Sequence, residues 1–254
     1  MSISIKSESE IAIMRRAGKA LAEVMRALEK EVRAGIDTQQ LDKLAEELVL
    51  AHGGKPAFKG YGDSDNPFPA TLCTSINNEI VHGIPNEHRI LNDGDILKID
   101  VGIELDGYFS DMARTFPVGE VSSEAKKLIE VTEKAFWKGI KNLKAGKNLS
   151  EYSKAAQKIV EEAGFSVVKN LVGHGIGENL HDDPQIPNYF EKGYRDLVLK
   201  EGMTLAIEPM VNRGTFKAKL GSDGWVFETA DGELSAHYEN TVLITKSGVE
   251  VLTQ

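Results

Sequence analysis

The sequence predicts an α+β fold in which two similar halves share a sheet and a single site. Three observations carry that prediction. Amphipathic helical stripes come in two pairs; turn-rich, strand-like segments follow each pair; and the second set repeats the first in length and apolar phase.

The first stripe runs from Glu8 to Glu31, with Ile11, Met14, Ala17, Leu21, Val24, Met25 and Leu28 at helical spacing, closed by Ala34-Gly35. Asp37 or Thr38 caps a second helix carrying Leu41, Leu44, Leu48 and Val49, ended by Gly53-Gly54. After Phe116 the order recurs. Ser122 or Ser123 opens a helix bearing Leu128, Ile129, Val131, Ala135, Phe136 and Ile140, closed by Ala145-Gly146. A fourth helix starts near Ser150, carries Tyr152, Ala155, Ala156, Ile159 and Val160, and stops at Gly164.

AGIDTQQLDKLAEELVLAHGG (Ala34 to Gly54) and AGKNLSEYSKAAQKIVEEAGF (Ala145 to Phe165) match in length and apolar phase. LNDGDILKID (Leu91 to Asp100) resembles LKEGMTLAIE (Leu199 to Glu208), a turn and then a strand ending in a carboxylate. HGI occurs at His82 to Ile84 and again at His174 to Ile176. Amphipathic helices often look alike by chance, so the matched carboxylates weigh more than the helices. Two copies are too few for a solenoid. With no linker-like segment between the halves, roughly 8–116 and 122–251, one domain spanning residues 1–254 is expected.

Hydrophobic residues at 41% permit a sizeable core, and a net charge of −9 argues against non-specific nucleic-acid binding. Cys73 is the only cysteine, so no intramolecular disulfide forms and a reducing compartment is expected. Met1 to Glu10 has no apolar run resembling a signal peptide, and no stretch approaches the ~18 apolar residues of a membrane span. A cytoplasmic, soluble, monomeric protein with neither nucleic-acid nor membrane partners is the expectation.

Asp100 ends the apolar run Ile96-Leu97-Lys98-Ile99, and Asp111 follows Tyr108-Phe109. Between them Asp106-Gly107 is a hairpin turn signal, which brings the two carboxylates onto adjacent strands. A solvated acidic turn suits Asp106; a carboxylate inside an apolar strand, such as Asp100, needs a partner. Glu208 follows Leu205-Ala206-Ile207, and Glu239 precedes Val242-Leu243-Ile244, so both also fall in apolar strand settings. Four buried acids repel one another unless neutralised, and two divalent cations supply the matching four positive charges. His174, in Val172-Gly173-His174-Gly175-Ile176-Gly177, offers a nitrogen, with glycines that permit close approach. A histidine among glycines is by itself an ordinary loop residue. The Gly175-x-Gly177 pair lacks the rest of a phosphate loop. Oxygen-rich ligation with one imidazole points to Mn, Fe(II), Co(II) or Zn.

SINNEIVHGIP (Ser75 to Pro85), LKIDVGIELDGYFSDMARTF (Leu97 to Phe116), VGHGIGENLHDDP (Val172 to Pro184), AIEPMV (Ala206 to Val211) and SAHYENTVLIT (Ser235 to Thr245) together resemble the methionine aminopeptidases of the pita-bread fold. The resemblance covers nearly the whole chain. It implies a pseudo-twofold antiparallel sheet with helices packed on its outer face, and the excision of initiator methionine, mainly before a small second residue. By the same resemblance Asp111 and Glu239 bridge two metals, Asp100 serves one, and His174 and Glu208 serve the other. Glu208 is expected to shuttle a proton, while His82 and His181 contact substrate beside the scissile amide. Phe68, Cys73, Leu180 and Trp225 fall where the methionine pocket is lined; taken singly, each is equally an ordinary core residue. Leu180 stands where many relatives carry an aromatic.

Nascent polypeptides with N-terminal methionine, Met-X peptides and a transient ribosome association are the partners this resemblance implies. The start close to the first helix, and the short spacing from Glu208 to Glu239, point to the short, bacterial-type class of type I rather than the eukaryotic or type II forms. Two rivals share these motifs in part: other pita-bread peptidases acting on X-Pro bonds, and non-enzymatic relatives that bind ribosomes or RNA. The first usually carry an extra amino-terminal domain; the second lose the metal ligands, all of which stand here.

Overall fold

Helix formation follows the apolar stripes and their caps. The computed structural model describes residues 3–193 and 196–254; Met1 and Ser2, the start of the segment without a signal-like run, lie outside them. In chain order the elements are α1 (Glu8–Glu31), α2 (Thr38–Ala51), β1 (Lys55–Pro56), β2 (Leu72–Ile76), β3 (Glu79–Val81), β4 (Ile96–Leu105) and β5 (Tyr108–Pro117). Next come α3 (Ser123–Ile140), α4 (Ser150–Glu162), β6 (Ser166–Val167), β7 (Gly173–Gly175), β8 (Asp182–Ile186) and β9 (Thr204–Ile207). Last are β10 (Met210–Asn212), β11 (Ala218–Leu220), β12 (Phe227–Thr229), β13 (Ser235–His237), β14 (Asn240–Ile244) and β15 (Val249–Val251).

A capping box opens α1: Ser7 N–H donates to Glu10 Oε2 at 2.6 Å while Ser7 Oγ accepts from Glu10 N–H. Asp37 caps α2 and Ser122 caps α3, each accepting from the backbone N–H three residues on. No side chain at its own N-cap serves α4. Instead Asp196, distant in sequence, accepts from the Ser150 N–H at 3.1 Å and from Ser150 Oγ at 2.5 Å.

Each helix pair covers its own core. Leu21, Val24 and Leu28 of α1 join Leu41 and Val49 of α2 over Leu97, Ile99 and Val101 of β4. Leu128 and Phe136 of α3 join Tyr152 and Val160 of α4 over Leu205, Ile207, Val242 and Ile244. All these side chains are buried, and the apolar area they remove from water is the main drive for holding helices against strands. Among the described residues, no helix is long and apolar enough to cross a membrane.

The strand pairings are antiparallel. β4 lies between β5 on one side and β1 and β2 on the other, and β9 lies between β14 and β7 in a second sheet ordered β15-β14-β9-β7-β8. Asp106 (φ 49°) and Gly107 (φ 83°) form the β4–β5 turn, both in the left-handed region that a two-residue hairpin of this twist requires. The two sheets are stitched where β5 meets the start of β14. Thr241 Oγ1 accepts from the Asp111 N–H at 2.8 Å and donates to the Asp111 carbonyl at 2.9 Å. Beside them the Glu239 N–H donates to the Ala113 carbonyl at 2.9 Å.

Two details differ from the sequence reading. Asp100 stands mid-strand in β4 rather than at a strand end. Glu208 and Glu239 lie outside strands, in the short breaks after β9 and before β14. Pro209 has no N–H to give the ladder, which accounts for the first break.

Candidate metal centre

The β4–β5 register sets Asp100 opposite Ala113 and Asp111 opposite Gly102, so the two aspartates are diagonal neighbours on one face. Glu208 and Glu239 turn toward that face from their breaks, and His174 reaches it from β7. Glycines on either side of His174 are needed for strand approach rather than for a ligand. A Cβ on Gly173 would meet the Ala206 carbonyl oxygen at 2.5 Å, and one on Gly175 the Asp183 carbonyl oxygen at 2.1 Å.

The five side chains expected to hold metal are brought together. Asp100, Asp111, His174 and Glu239 are buried, and Glu208 nearly so. His174 Nε2 lies 3.6 Å from Glu208 Oε1, and its Nδ1 meets the Gly175 carbonyl at 2.9 Å, which directs the Nε2 lone pair at the cluster. Asp111, His174 and Glu239 can each offer an atom within 4.8 Å of the others'. Asp100 Oδ1, Asp111 Oδ1 and Glu239 Oε1 are buried with no hydrogen-bond partner among the described residues. Buried polar atoms are otherwise almost always paired, so three carboxylate oxygens left open on one face fit a cation-binding role.

The electrostatics agree. Burial pushes the Asp100 carboxyl up to about 6, with His237 partly offsetting and Glu208 adding to the rise. Burial, then repulsion from Asp100 and Glu208, holds Asp111 well above the carboxylate range; burial does the same to Glu208, and burial with Asp111 to Glu239. The imidazoles move the other way for the same reason: His174 to about 3, and His82 and His237 each to about 4. Burial and mutual repulsion both oppose four ionised carboxylates at this place. Divalent cations reverse that balance.

His82 and His181 face the cluster across a cavity of about 70 Å³ that Asp100, Asp111, Glu208 and Glu239 also line. His82 has φ 61° just beyond β3 and lies edge-on to Phe227, with ring centroids 5.9 Å apart. His181, exposed, packs against the His174 ring at 4.3 Å. Phe68, Cys73, Leu180 and Trp225 all line this cavity. Phe68 and Trp225 meet edge to face at 5.2 Å, and Cys73 pairs with Asp100 in the β2–β4 register. Burial pushes the Cys73 thiol well up, which makes it an apolar wall rather than a nucleophile.

Three residues escaped the sequence reading. Phe58 adds to the apolar wall. Tyr61 bonds His181 Nδ1 through its hydroxyl at 2.5 Å; its signal was an aromatic between Gly60 and Gly62, a weak one. His237 is fully buried, forms a second candidate metal-holding group with Asp100 and Glu239, and stands two residues before Glu239.

Residues 12–246 match the description "Metallopeptidase family M24". The chain belongs to that family. This M24 chain is 51% identical over 252 residues to the methionine aminopeptidase of Clostridium perfringens, covering 99% of one and 98% of the other. It is 47% identical to methionine aminopeptidase 1 of Bacillus subtilis, covering 99% of each. Its fold is similar to the crystal structure of methionine aminopeptidase from Thermotoga maritima, with a TM-score of 0.95, 43% identity and both chains fully covered. The pita-bread architecture, α+β with antiparallel sheets, is therefore the fold of this chain, and a divalent-metal requirement comes with the family.

Proposed function

We propose that this chain is a methionine aminopeptidase that removes N-terminal methionine from nascent polypeptides and Met-X peptides, mainly before a small second residue. One observation carries the reading: three unpartnered carboxylate oxygens and an oriented imidazole lie at the wall of a small, aromatic-edged cavity. Its size and lining suit one unbranched thioether side chain. The whole-length likeness to methionine aminopeptidases supports the same reading.

Asp100, Asp111, His174, Glu208 and Glu239 are the residues proposed to hold two divalent ions, drawn from Co, Mn, Fe(II) and Zn by the oxygen-rich donor set. When bound, such ions supply Lewis acidity and make hydroxide available near neutral pH. Glu208 accepts the proton of the attacking water and passes it toward the leaving amine. His181, oriented by the Tyr61 hydroxyl, and His82, locked by its left-handed backbone, donate to the scissile group as charge develops. Phe68, Cys73, Leu180 and Trp225 hold the methionine side chain and keep water from it.

The proposed unit is one catalytic domain of two pseudo-repeats, 8–116 and 122–251. In support, Asp100 and Asp111 come from the first and His174, Glu208 and Glu239 from the second. A cytoplasmic monomer in transient contact with the ribosome fits a nascent-chain substrate and a single, buried cysteine. Hydrolysis of Met-Gly-Met, compared with Gly-Pro and other X-Pro peptides on the metal-reconstituted protein, tests the assignment. Release of methionine from Met-Gly-Met is expected; cleavage of X-Pro bonds alone would overturn it.

A further inference from the structure

Among the described residues, His237 belongs to a candidate metal-holding group with Asp100 and Glu239, yet the ligand set above gives it no task. Its backbone is clamped: the His237 N–H donates to Thr115 Oγ1 at 2.9 Å, and the same hydroxyl donates to the His237 carbonyl at 2.8 Å. Its β13 residue pairs with Met210 of β10, so the ring is projected from a rigid ladder rather than a loop. The side chain is 1% exposed, with Nε2 at 3.5 Å from Glu208 Oε2 and 3.8 Å from Glu239 Oε2. Among the described residues neither ring nitrogen has a hydrogen-bond partner.

The contrast with His174 decides what this imidazole does. His174 Nδ1 has a carbonyl acceptor, that of Gly175, which leaves Nε2 free to donate its lone pair. His237 Nδ1 has no acceptor. Were Nε2 to bind a cation, Nδ1 would carry a buried N–H with no partner. With the proton on Nε2 instead, only a lone pair is left unpaired at Nδ1, and a buried acceptor is tolerated more readily than a buried donor. The Nε2 proton then faces carboxylate oxygens a few tenths of an ångström beyond hydrogen-bond distance, within side-chain adjustment. A neutral donor also suits a cluster already crowded with acids.

We propose that His237 is a positioning residue of the metal centre, donating from Nε2 to the carboxylates of Glu208 and Glu239 and fixing which of their oxygens face the metals. This rests on the reading that those two glutamates are ligands. Carboxylates held by such a donor lose less freedom on binding a cation, so the contribution appears in metal affinity.

The test compares wild type, His237→Gln and His237→Phe, stripped with chelator and titrated with Co(II) by calorimetry and visible absorption. His237→Gln keeps a side-chain N–H; His237→Phe removes both nitrogens, and His237→Leu does the same at smaller volume should the Phe variant fail to fold. The expected result is an affinity reduced by about 10–100-fold in His237→Phe or His237→Leu and close to wild type in His237→Gln. Wild-type and His237→Gln Co(II) bands should superpose, because the inner ligands are the same. Undiminished affinity without either nitrogen would overturn the proposal, as would a His237→Gln spectrum showing the loss of an inner-sphere nitrogen. Should wild type bind fewer than two ions, the two-metal reading itself falls, which the same titration reports separately.

Discussion

Glu208 and Glu239 stand in facing interruptions of one antiparallel ladder: Ile207 pairs with Asn240 on one side of the gap, and Met210 with His237 on the other. Two residues on each strand leave the ladder at the same level. That paired break releases both glutamates from strand alternation and turns them toward the aspartates of the β4–β5 hairpin.

Replacing Asp111 with Asn should abolish turnover and lower metal content. Stability should respond oppositely with and without metal. Asp111 is a buried acid among acids, so the chelated variant should melt no lower than chelated wild type. The stabilisation that added metal gives wild type should be much reduced. Turnover, metal analysis and thermal melts on one preparation check all three; full activity in a folded variant would refute the ligand assignment.

The stability of the chelated protein should depend on pH through two opposed sets of buried groups. His174, His82 and His237 have folded values below the unfolded one near 6.5. Their stabilisation is complete above that pH and is lost on acidification through about 6.5 to 3. The carboxyls of Asp100, Asp111, Glu208 and Glu239 have raised folded values, so their stabilisation is present below their unfolded range and drains as pH rises. Above 6.5 only the carboxyl effect remains among these groups. Melting of the chelated protein should therefore fall as pH rises from about 4 through the raised carboxyl values, against the histidine trend below 6.5, and saturating metal should remove that fall; a chelated profile identical to the metal-loaded one would count against buried, unneutralised acids.

Tyr61→Phe removes the hydroxyl that fixes His181 Nδ1. One hydrogen bond of ordinary strength corresponds to roughly a 3–10-fold loss in kcat/KM. Metal content should not change, because Tyr61 is not among the candidate metal-holding groups. A variant that loses metal along with activity would show that Tyr61 acts through the metal site instead.

Gly175→Ala forces a methyl against the Asp183 backbone oxygen, 2.1 Å from the added carbon. No flexible side chain is available to give way, so β7 and β8 must separate and His174 must shift. Metal binding should weaken more than overall folding does, and the two are told apart by metal titration beside a thermal melt.

Phe68→Ala opens the apolar wall opposite Trp225. Phe68 is 2% exposed, so a cost of about 3–5 kcal/mol in stability is expected. KM for Met-X peptides should rise more than kcat falls, since the lost contact is to a side chain that does not react.

Much of this molecule is written locally in its chain. The stripe from Ile11 to Leu28 and the caps at Asp37 and Ser122 specify helices where they occur, because periodicity and capping need only neighbours in sequence. Asp106-Gly107 specifies a hairpin for the same reason, and with it the closeness of Asp100 and Asp111. The five metal-binding candidates were legible as acids and a histidine in apolar or glycine-rich surroundings. Tertiary structure alone decided the rest. The cap of α4 comes from Asp196, and the orientation of His181 from Tyr61, each bond crossing tens of residues that no local pattern links. The facing breaks at Glu208 and Glu239 follow from two strands paired in one register. Whether a buried imidazole such as His237 has a partner depends on every chain segment around it. A sequence states which groups are costly to bury; only packing determines which of them meet, and so which are left free to hold an ion.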